Sequence, residues 1–377
     1  MTTEPLAVLC LVIACAGCLY LACAAIVAAR FAPEPAAEAR SLPPVTLLKP
    51  LKGDEPALFR NLASFCNQDY PAPIQMVLGV SVANDAAISA VKRLEAVFPD
   101  RDLELIVDPT VHGANLKISN LINMTPAARH ACLVLSDSDI EAPPDYLRRV
   151  AGALLEPGVG GVTCLYHGVP VAGFWSRMSA LAIDSHFLPN VLVGLHFGLA
   201  TPCFGSTIAL RRDRLDEIGG FGAFADVLAD DYAIGAALRA RNFRIAIPRF
   251  LVSHCCAETS LAEVWRQELR WARTIRTVDF RGHAGSVATH PLPFALLALA
   301  AGAPAAGLIL AILALAGRIV LLHVLARGRA LALPPYWMVP VRDLLSFAIF
   351  VWSFFGHGLI WRGRRYRVGA DGVLTAD

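Results

Sequence analysis

A run from Leu6 to Ala29 contains no charge, no proline and no side-chain amide. As a helix rising about 1.5 Å per residue it would reach roughly 36 Å, enough to cross a hydrocarbon core of about 30 Å. The competing reading is a cleaved signal peptide. The basic residues that open such peptides are missing, since Glu4 is the sole charge ahead of the run, and the run is longer than a typical signal core. We therefore expect an uncleaved N-terminal transmembrane anchor over residues 1–30. Arg30, Arg40, Lys49 and Lys52 follow the run and no basic residue precedes it, so the positive-inside rule puts the following domain in the cytoplasm.

Composition agrees with a membrane protein. Of 377 residues, 56% are apolar and 17% charged, where a soluble domain has roughly 45–50% and 25%; mean hydropathy is +0.53. A second apolar zone runs from Pro293 to Ala326, broken by Gly302, Pro304 and Arg318. One straight helix of that length would reach roughly 50 Å, too long for a single span. A short segment broken near Pro304, then a full span from Ala305 to Ala326, is expected. A last apolar stretch, Leu344 to Ile360, ends in Arg362, Arg364, Arg365 and Arg367. We expect membrane segments over 290–361 and a basic cytoplasmic tail over 362–377. If the middle domain and this tail are both inside, an even number of crossings separates them, and the Pro-broken segment is re-entrant or interfacial. For a bacterial chain this is the inner membrane. The formal net charge of +2 gives no support for a nucleic-acid partner. Cys10, Cys15, Cys18 and Cys23 sit inside the first run and read as small buried hydrophobes, not as bridges or metal ligands.

After an Ala/Pro-rich linker at 31–44, composition becomes ordinary over 45–289. Val45–Leu48, Met76–Val82, Leu103–Val107 and Cys132–Leu135 read as buried strands. Pro56–Phe65, Ala86–Val97, Lys117–Asn123 and Asp145–Leu155 read as helices between them. Such alternation predicts an α/β domain on a parallel sheet, with ligands at the carboxyl ends of strands. No glycine-rich dinucleotide loop or P-loop follows the first strand, where Lys49-Pro50-Leu51-Lys52-Gly53 stands instead.

Several residues at strand ends could carry chemistry. Asp137 and Asp139, in Ser136-Asp-Ser-Asp139, follow an apolar strand. Two carboxylates one residue apart can face Mg²⁺ or Mn²⁺ with substrate phosphates completing the shell, or can simply belong to a polar turn. Asp230-Asp231-Tyr232 opens a helix expected over Ala233–Arg241, where an aspartate can also serve as a cap. Gln267 and Arg270 share a helix face with Trp271 beside them. An arginine there can clamp a diphosphate and a tryptophan can stack on a sugar or lipid head. The bland alternative is an amphipathic helix whose Arg266, Arg270, Arg273 and Arg276 snorkel beneath the membrane domain. Lys117 follows the polar turn Gly113-Ala-Asn115 and is one of four lysines beside 29 arginines. Asp85 follows the second strand, and an isolated acid in that place is more often a helix cap.

Taken in order, Asp85, Lys117, Asp137-x-Asp139, Asp231 and Gln267-x-x-Arg270-Trp271 resemble the motif series of nucleotide-sugar glycosyltransferases with a GT-A fold. Leu47-Leu-Lys-Pro-Leu-Lys-Gly53, Asp69-Tyr-Pro71, Asn115-x-Lys117-x-x-Asn120, Gly219-Gly220, Asp230-Asp231-Tyr232 and Trp361-Arg-x-x-Arg-Tyr-Arg367 look more closely like the ceramide glucosyltransferase-like family. Its bacterial members include hopanoid-biosynthesis glycosyltransferases. The chain departs from the animal enzymes at Gln267, Asp139 and Asp230, which moves it towards the bacterial members.

The resemblance implies inverting transfer of a hexose or N-acetylhexosamine from a UDP-sugar to a membrane-lipid hydroxyl, on a ceramide-like or hopanoid polyol acceptor. It implies Asp231 as general base and Asp139, with Asp137, as ligands of a divalent cation. Asp85 and Lys117 would hold uridine and diphosphate, and Gln267, Arg270 and Trp271 would close over diphosphate and acceptor. His186 would match a nucleotide-site histidine. A processive polysaccharide synthase shares these motifs but usually needs more spans, and a non-catalytic lipid-binding protein would be expected to have lost a carboxylate.

Overall fold

Six consecutive buried residues, Val45 to Pro50, form the first strand of the sheet, β1. Burial on both faces is what a parallel strand covered by helices requires, and here it is literal. Val45 and Leu47 join one hydrophobic cluster with Leu62, Phe65, Met76 and Leu78. Leu48 joins another with Val77, Ile118, Leu121 and Leu135. The computed structural model describes residues 5–31, 41–329 and 331–356, with backbone alone at 358–361, 364–368 and 374–376. It divides into two compact units. One comprises Glu34–Ala172, Pro202–Ala257 and Arg365–Asp377, the other Met1–Pro33, Gly173–Thr201 and Glu258–Arg364.

In the first unit the chain lays down β1, β2 (Ile74–Val80), β3 (Asp102–Val107) and β4 (Cys132–Leu135), separated by helices Leu58–Cys66, Ala87–Val97 and Leu116–Met124. Then follow β5 (Ile140–Glu141), helix Tyr146–Leu154, β6 (Val159–Thr163), β7 (Leu165–Pro170), β8 (Ile208–Arg211), helix Asp230–Ala240, β9 (Arg244–Ala246) and β10 (Leu251–Cys256). The main sheet has the order β3-β2-β1-β4-β8-β6-β9. β1 pairs parallel with both β2 and β4, aligning Leu48 with Leu135. β8 runs antiparallel to β4 and β6. The chain builds outward from β1 to β3, then returns to β4 on the other side of β1, and such a reversal opens a crevice at the carboxyl ends. A small second sheet, β5-β10-β7, pairs Ile140 with His254. The expected α/β architecture is present, with the second strand two residues earlier than read from sequence. Gly219 and Gly220 both take positive φ, 94° and 66°, where side-chain-bearing residues are disfavoured, so the glycine pair answers to the backbone of this turn.

In the second unit, among the described residues, three helices are long and apolar enough to cross a membrane: Pro5–Arg30, Phe174–His196 and Pro304–Arg327. The first and the third cover the stretches read from sequence as Leu6–Ala29 and Ala305–Ala326. Pro291–Ala300 is a separate helix of 10 residues, reaching about 15 Å, too short to cross by itself. Ala14, Leu292, Ala295, Ala311 and Ala314 pack together, and the four alanines are small enough to let helices approach closely. Val339–Ser353 is helical. The basic tail expected over 362–377 is described only as backbone strands at Arg364–Val368 and Leu374–Ala376, and most of the linker lies outside the described residues. The sequence gives no warning of Phe174–His196, because Asp184, Ser185 and His186 interrupt its apolar pattern at a π-helical turn, Ile183–Phe187. The stretch expected as one domain over 45–289 is thus shared between the two units. All ten cysteines are free thiols.

Candidate active site

Helix Leu116–Met124 begins at a buried cap, Asn115, whose Oδ1 accepts the backbone N–H groups of Lys117 and Ile118. Its amide nitrogen reaches the other way, to Val227 O at 2.8 Å and Asp230 Oδ1 at 3.2 Å. One asparagine therefore both starts the helix carrying Lys117 and fixes the turn that precedes Asp231. Lys117 Nζ lies 2.6 Å from Asp137 Oδ1 and 3.5 Å from Asp230 Oδ2. Burial works against its charge, but Asp137, Asp230 and Asp231 more than offset that, and the ammonium is held above the ordinary lysine range.

Gly205 stands between the acids. Its N–H donates to Asp231 Oδ2 at 2.9 Å and its carbonyl accepts the Asp137 N–H at 3.2 Å. A Cβ at this position would lie 2.7 Å from Asp137 Oδ2 and 3.0 Å from Lys117 Nζ, so only glycine lets the backbone approach this closely. The other Asp231 oxygen accepts the Tyr232 N–H at 2.8 Å. Burial, and then the neighbouring Asp230 carboxylate, push Asp231 up to about 6 against the pull of Lys117 and the two N–H bonds. A carboxyl tuned in that direction suits a base that must take a proton near neutral pH.

Asp139 sits on the far side of Asp137. Its Oδ2 is 3.3 Å from His254 Nε2, brought there by the β5–β10 pairing, while its Oδ1 is closed off with no hydrogen-bond partner. Burial raises its carboxyl above the ordinary range, with Asp137 adding and His254 and the two lysines opposing. A buried carboxylate oxygen without a donor is costly unless something cationic satisfies it. Among the described residues no set of three or more His, Cys, Asp or Glu forms a ready cage. The donor set therefore fits a hard cation held by one or two carboxylates and completed by phosphate oxygens.

Behind the acids lies a residue that sequence reasoning gave no role. Lys49, at the end of β1, is fully buried. Its Nζ donates to Ser136 Oγ at 3.0 Å and Asp137 O at 2.9 Å and rests 3.4 Å over the Phe65 ring. Burial pushes it down to about 7, opposed by Asp137, Asp139 and Glu55. It props the acidic loop from inside. The signal available was a lysine near the end of a mostly apolar strand in an arginine-rich chain. Asp85 accepts N–H bonds from Gly53 at 2.7 Å and Ala87 at 2.9 Å, so it joins the ends of β1 and β2 while starting a helix.

The remaining candidates belong to the other unit. Helix Leu261–Val278 carries the Gln267 motif, and Arg270 Nη2 donates to Gln267 Oε1 at 3.2 Å, with Trp271 next in the chain. His186 lies in the π-helical turn, with Nδ1 2.8 Å from Ser185 Oγ and Nε2 3.3 Å from Arg318 Nη2. Its ring stacks on His290 at 5.3 Å, and fully buried Arg318 also pairs with Asp343 at 3.2 Å. Both ring nitrogens are thus engaged in a polar cluster among apolar helices.

The acids lie on an α/β sheet with an antiparallel strand beside its switch point, and this is the GT-A fold of nucleotide-sugar transferases. A mannosyltransferase of Pyrobaculum calidifontis, solved with GDP-mannose and Mn²⁺, superposes with a TM-score of 0.53 at 23% identity, covering 93% of this chain and 99% of that one. The chain belongs to glycosyl transferase family 21, whose model matches residues 7–374. Ceramide glucosyltransferase 1 of Caenorhabditis elegans is 25% identical over 234 residues, covering 62% of this chain and 50% of the relative. Ceramide glucosyltransferase of Komagataella phaffii is 26% identical over 193 residues, covering 46% and 38%. The chain spans half or less of the length of these relatives.

Proposed function

We propose that this protein transfers a hexose or N-acetylhexosamine from a UDP-sugar to a hydroxyl of a membrane lipid, with inversion, from a catalytic unit on the cytoplasmic side. The observation that carries the reading is the arrangement of Lys117, Asp137 and Asp231 around the Gly205 backbone in a family 21 chain. The acceptor oxygen attacks the anomeric carbon while its proton passes to Asp231, and the bond from that carbon to the diphosphate breaks. Lys117 supplies positive charge for the leaving diphosphate. Asp139 and Asp137 would hold Mg²⁺ or Mn²⁺, whose part when bound is to neutralise phosphate charge. Asp85 serves the uridine. Gln267, Arg270 and Trp271 bind diphosphate and acceptor, a role the family resemblance supplies. His186, engaged by Ser185 and Arg318, is left out of this reading. The lipid names of the relatives support a ceramide-like acceptor, and a hopanoid polyol fits the same chemistry.

Purified protein in nanodiscs, given UDP-glucose, UDP-N-acetylglucosamine or GDP-mannose with ceramide, hopanoid polyol or diacylglycerol, should glycosylate one lipid in a metal-dependent way, read by mass spectrometry. Lipids from a deletion strain should lack the same product. Failure to transfer from any donor to any lipid, with folded protein in hand, would defeat the proposal.

A further inference from the structure

Inside the Gln267 motif stands a residue that the motif does not name. Glu268 receives a two-pronged ion pair from Arg342, with Nη1 to Oε1 at 2.8 Å and Nη2 to Oε2 at 2.9 Å. Arg342 is fully buried, and its remaining donors reach Met178 O at 3.3 Å and Ser346 Oγ at 3.1 Å. Further along the same helix, Arg273 donates to Phe355 O at 2.6 Å, and Arg276 to Ser353 O at 2.5 Å and Gly356 O at 3.1 Å. Those carbonyls end helix Val339–Ser353, where the helix dipole favours cations. The motif helix is therefore held against one neighbour at two places along its length.

Net stability is a poor explanation for the Glu268–Arg342 pair. Burying two charges costs about what their attraction returns, and apolar replacements of the same volume are often neutral or better. A forked arginine–carboxylate pair supplies direction instead, because it accepts one geometry. With about 100° per residue, Arg270 stands roughly 200° round the helix from Glu268, on the opposite side. A small rotation about the axis would leave the helix packed yet swing the Arg270 arm and its Gln267 partner.

We propose that Glu268 and Arg342 are positioning residues that fix the rotation of helix Leu261–Val278 and so aim Gln267, Arg270 and Trp271. The inference rests on the transferase reading above. In the full chain in nanodiscs, Glu268→Gln and Arg342→Gln should each lower kcat per folded molecule by between about ten- and a hundredfold, the scale of a misplacement near 1 Å. The swap Glu268→Arg with Arg342→Glu should recover part of that loss. Adding Glu268→Gln to Arg270→Ala should cost clearly less than the product of the two single losses, since one of the arms being aimed is gone.

Unchanged kcat per folded molecule in the single variants, or losses that multiply in the double variant, would overturn the proposal. Hydrogen exchange keeps the two readings apart. If the unaltered protein transfers nothing, the transferase reading falls, while amide exchange over Gln267–Trp271 still decides this one. Faster exchange in Glu268→Gln supports positioning, and identical exchange refutes it.

Discussion

The raised carboxyl of Asp231 makes a sharp pH prediction. With its proton held to about 6, the base is about nine-tenths ionised at pH 7 and about one-tenth at pH 5. A carboxyl at the ordinary 3.8 would stay mostly ionised across that range. The initial rate at low donor should therefore fall roughly tenfold between pH 7 and pH 5, the logarithmic plot bending near pH 6 and approaching unit slope only below it. Asp231→Asn should lower kcat by about 10²–10⁴ with donor affinity, read by calorimetry, nearly unchanged.

Stability should move the other way. A folded value above the unfolded one means the fold binds the proton more tightly, so stability is fullest below pH 4 and is lost as pH rises through 6. The shift from 3.8 to about 6 is worth on the order of 3 kcal/mol, which the amide would relieve at pH 8. The amide can accept from only one of the Gly205 and Tyr232 N–H groups, which returns about 1–2 kcal/mol. Asp231→Asn should thus be inactive yet no less stable than the parent at pH 8 by thermal unfolding. A flat rate profile to pH 5, or an Asn variant that loses donor binding but turns over normally at saturation, would refute the argument and move the base to Asp230.

Four further outcomes follow from the geometry. Chelation by EDTA should abolish transfer and added Mn²⁺ or Mg²⁺ restore it, and Asp139→Ala should fold but not turn over; full turnover in excess chelator would remove the metal role. Gly205→Ala should displace the Lys117–Asp137 pair and lower kcat at least tenfold, with unfolding changed by no more than about 2 kcal/mol. Arg318→Ala leaves Asp343 without its partner among apolar helices, which should cost about 3–5 kcal/mol and show as lost yield of folded protein in detergent. The protein should resist carbonate extraction, and a periplasmic reporter fused after Arg367 should stay silent; a bright reporter would mean an odd number of crossings after the catalytic unit.

Much of this was legible because the relevant signals are local. The parallel strands announce themselves as short apolar runs, Asp137 and Asp139 stand just after one of them, and Asp231 opens a helix. Asn115 and Lys117 were visible as a polar turn leading into a helix. What escaped depends on distant pairing. Gly205 matters only because β8 brings its backbone between Asp137 and Asp231, and nothing adjacent to it in sequence says so. His254 meets Asp139 through a two-residue strand, and Lys49 reads from sequence as one of the basic residues after the first apolar run, whereas its burial beside Ser136 and Asp137 gives it a task. The helix Phe174–His196 is hidden by Asp184, Ser185 and His186, and Arg318, which meets Ser185 and His186, and Asp343, which faces His186, arrive more than a hundred residues later.

The strand order also dictates how this chain can be made. β6 is synthesised early, yet its neighbours in the sheet are β8 and β9, both encoded after Thr201. A nascent chain that has emerged only as far as Ala172 holds β4 with an open edge and β6 with nothing to pair with, the condition in which strands aggregate. The apolar helix Phe174–His196 is translated during that wait. A segment long and apolar enough to cross a membrane therefore leaves the ribosome while the sheet is still unfinished. Neither half of the protein should be recoverable as a folded fragment by cutting between Ala172 and Pro202.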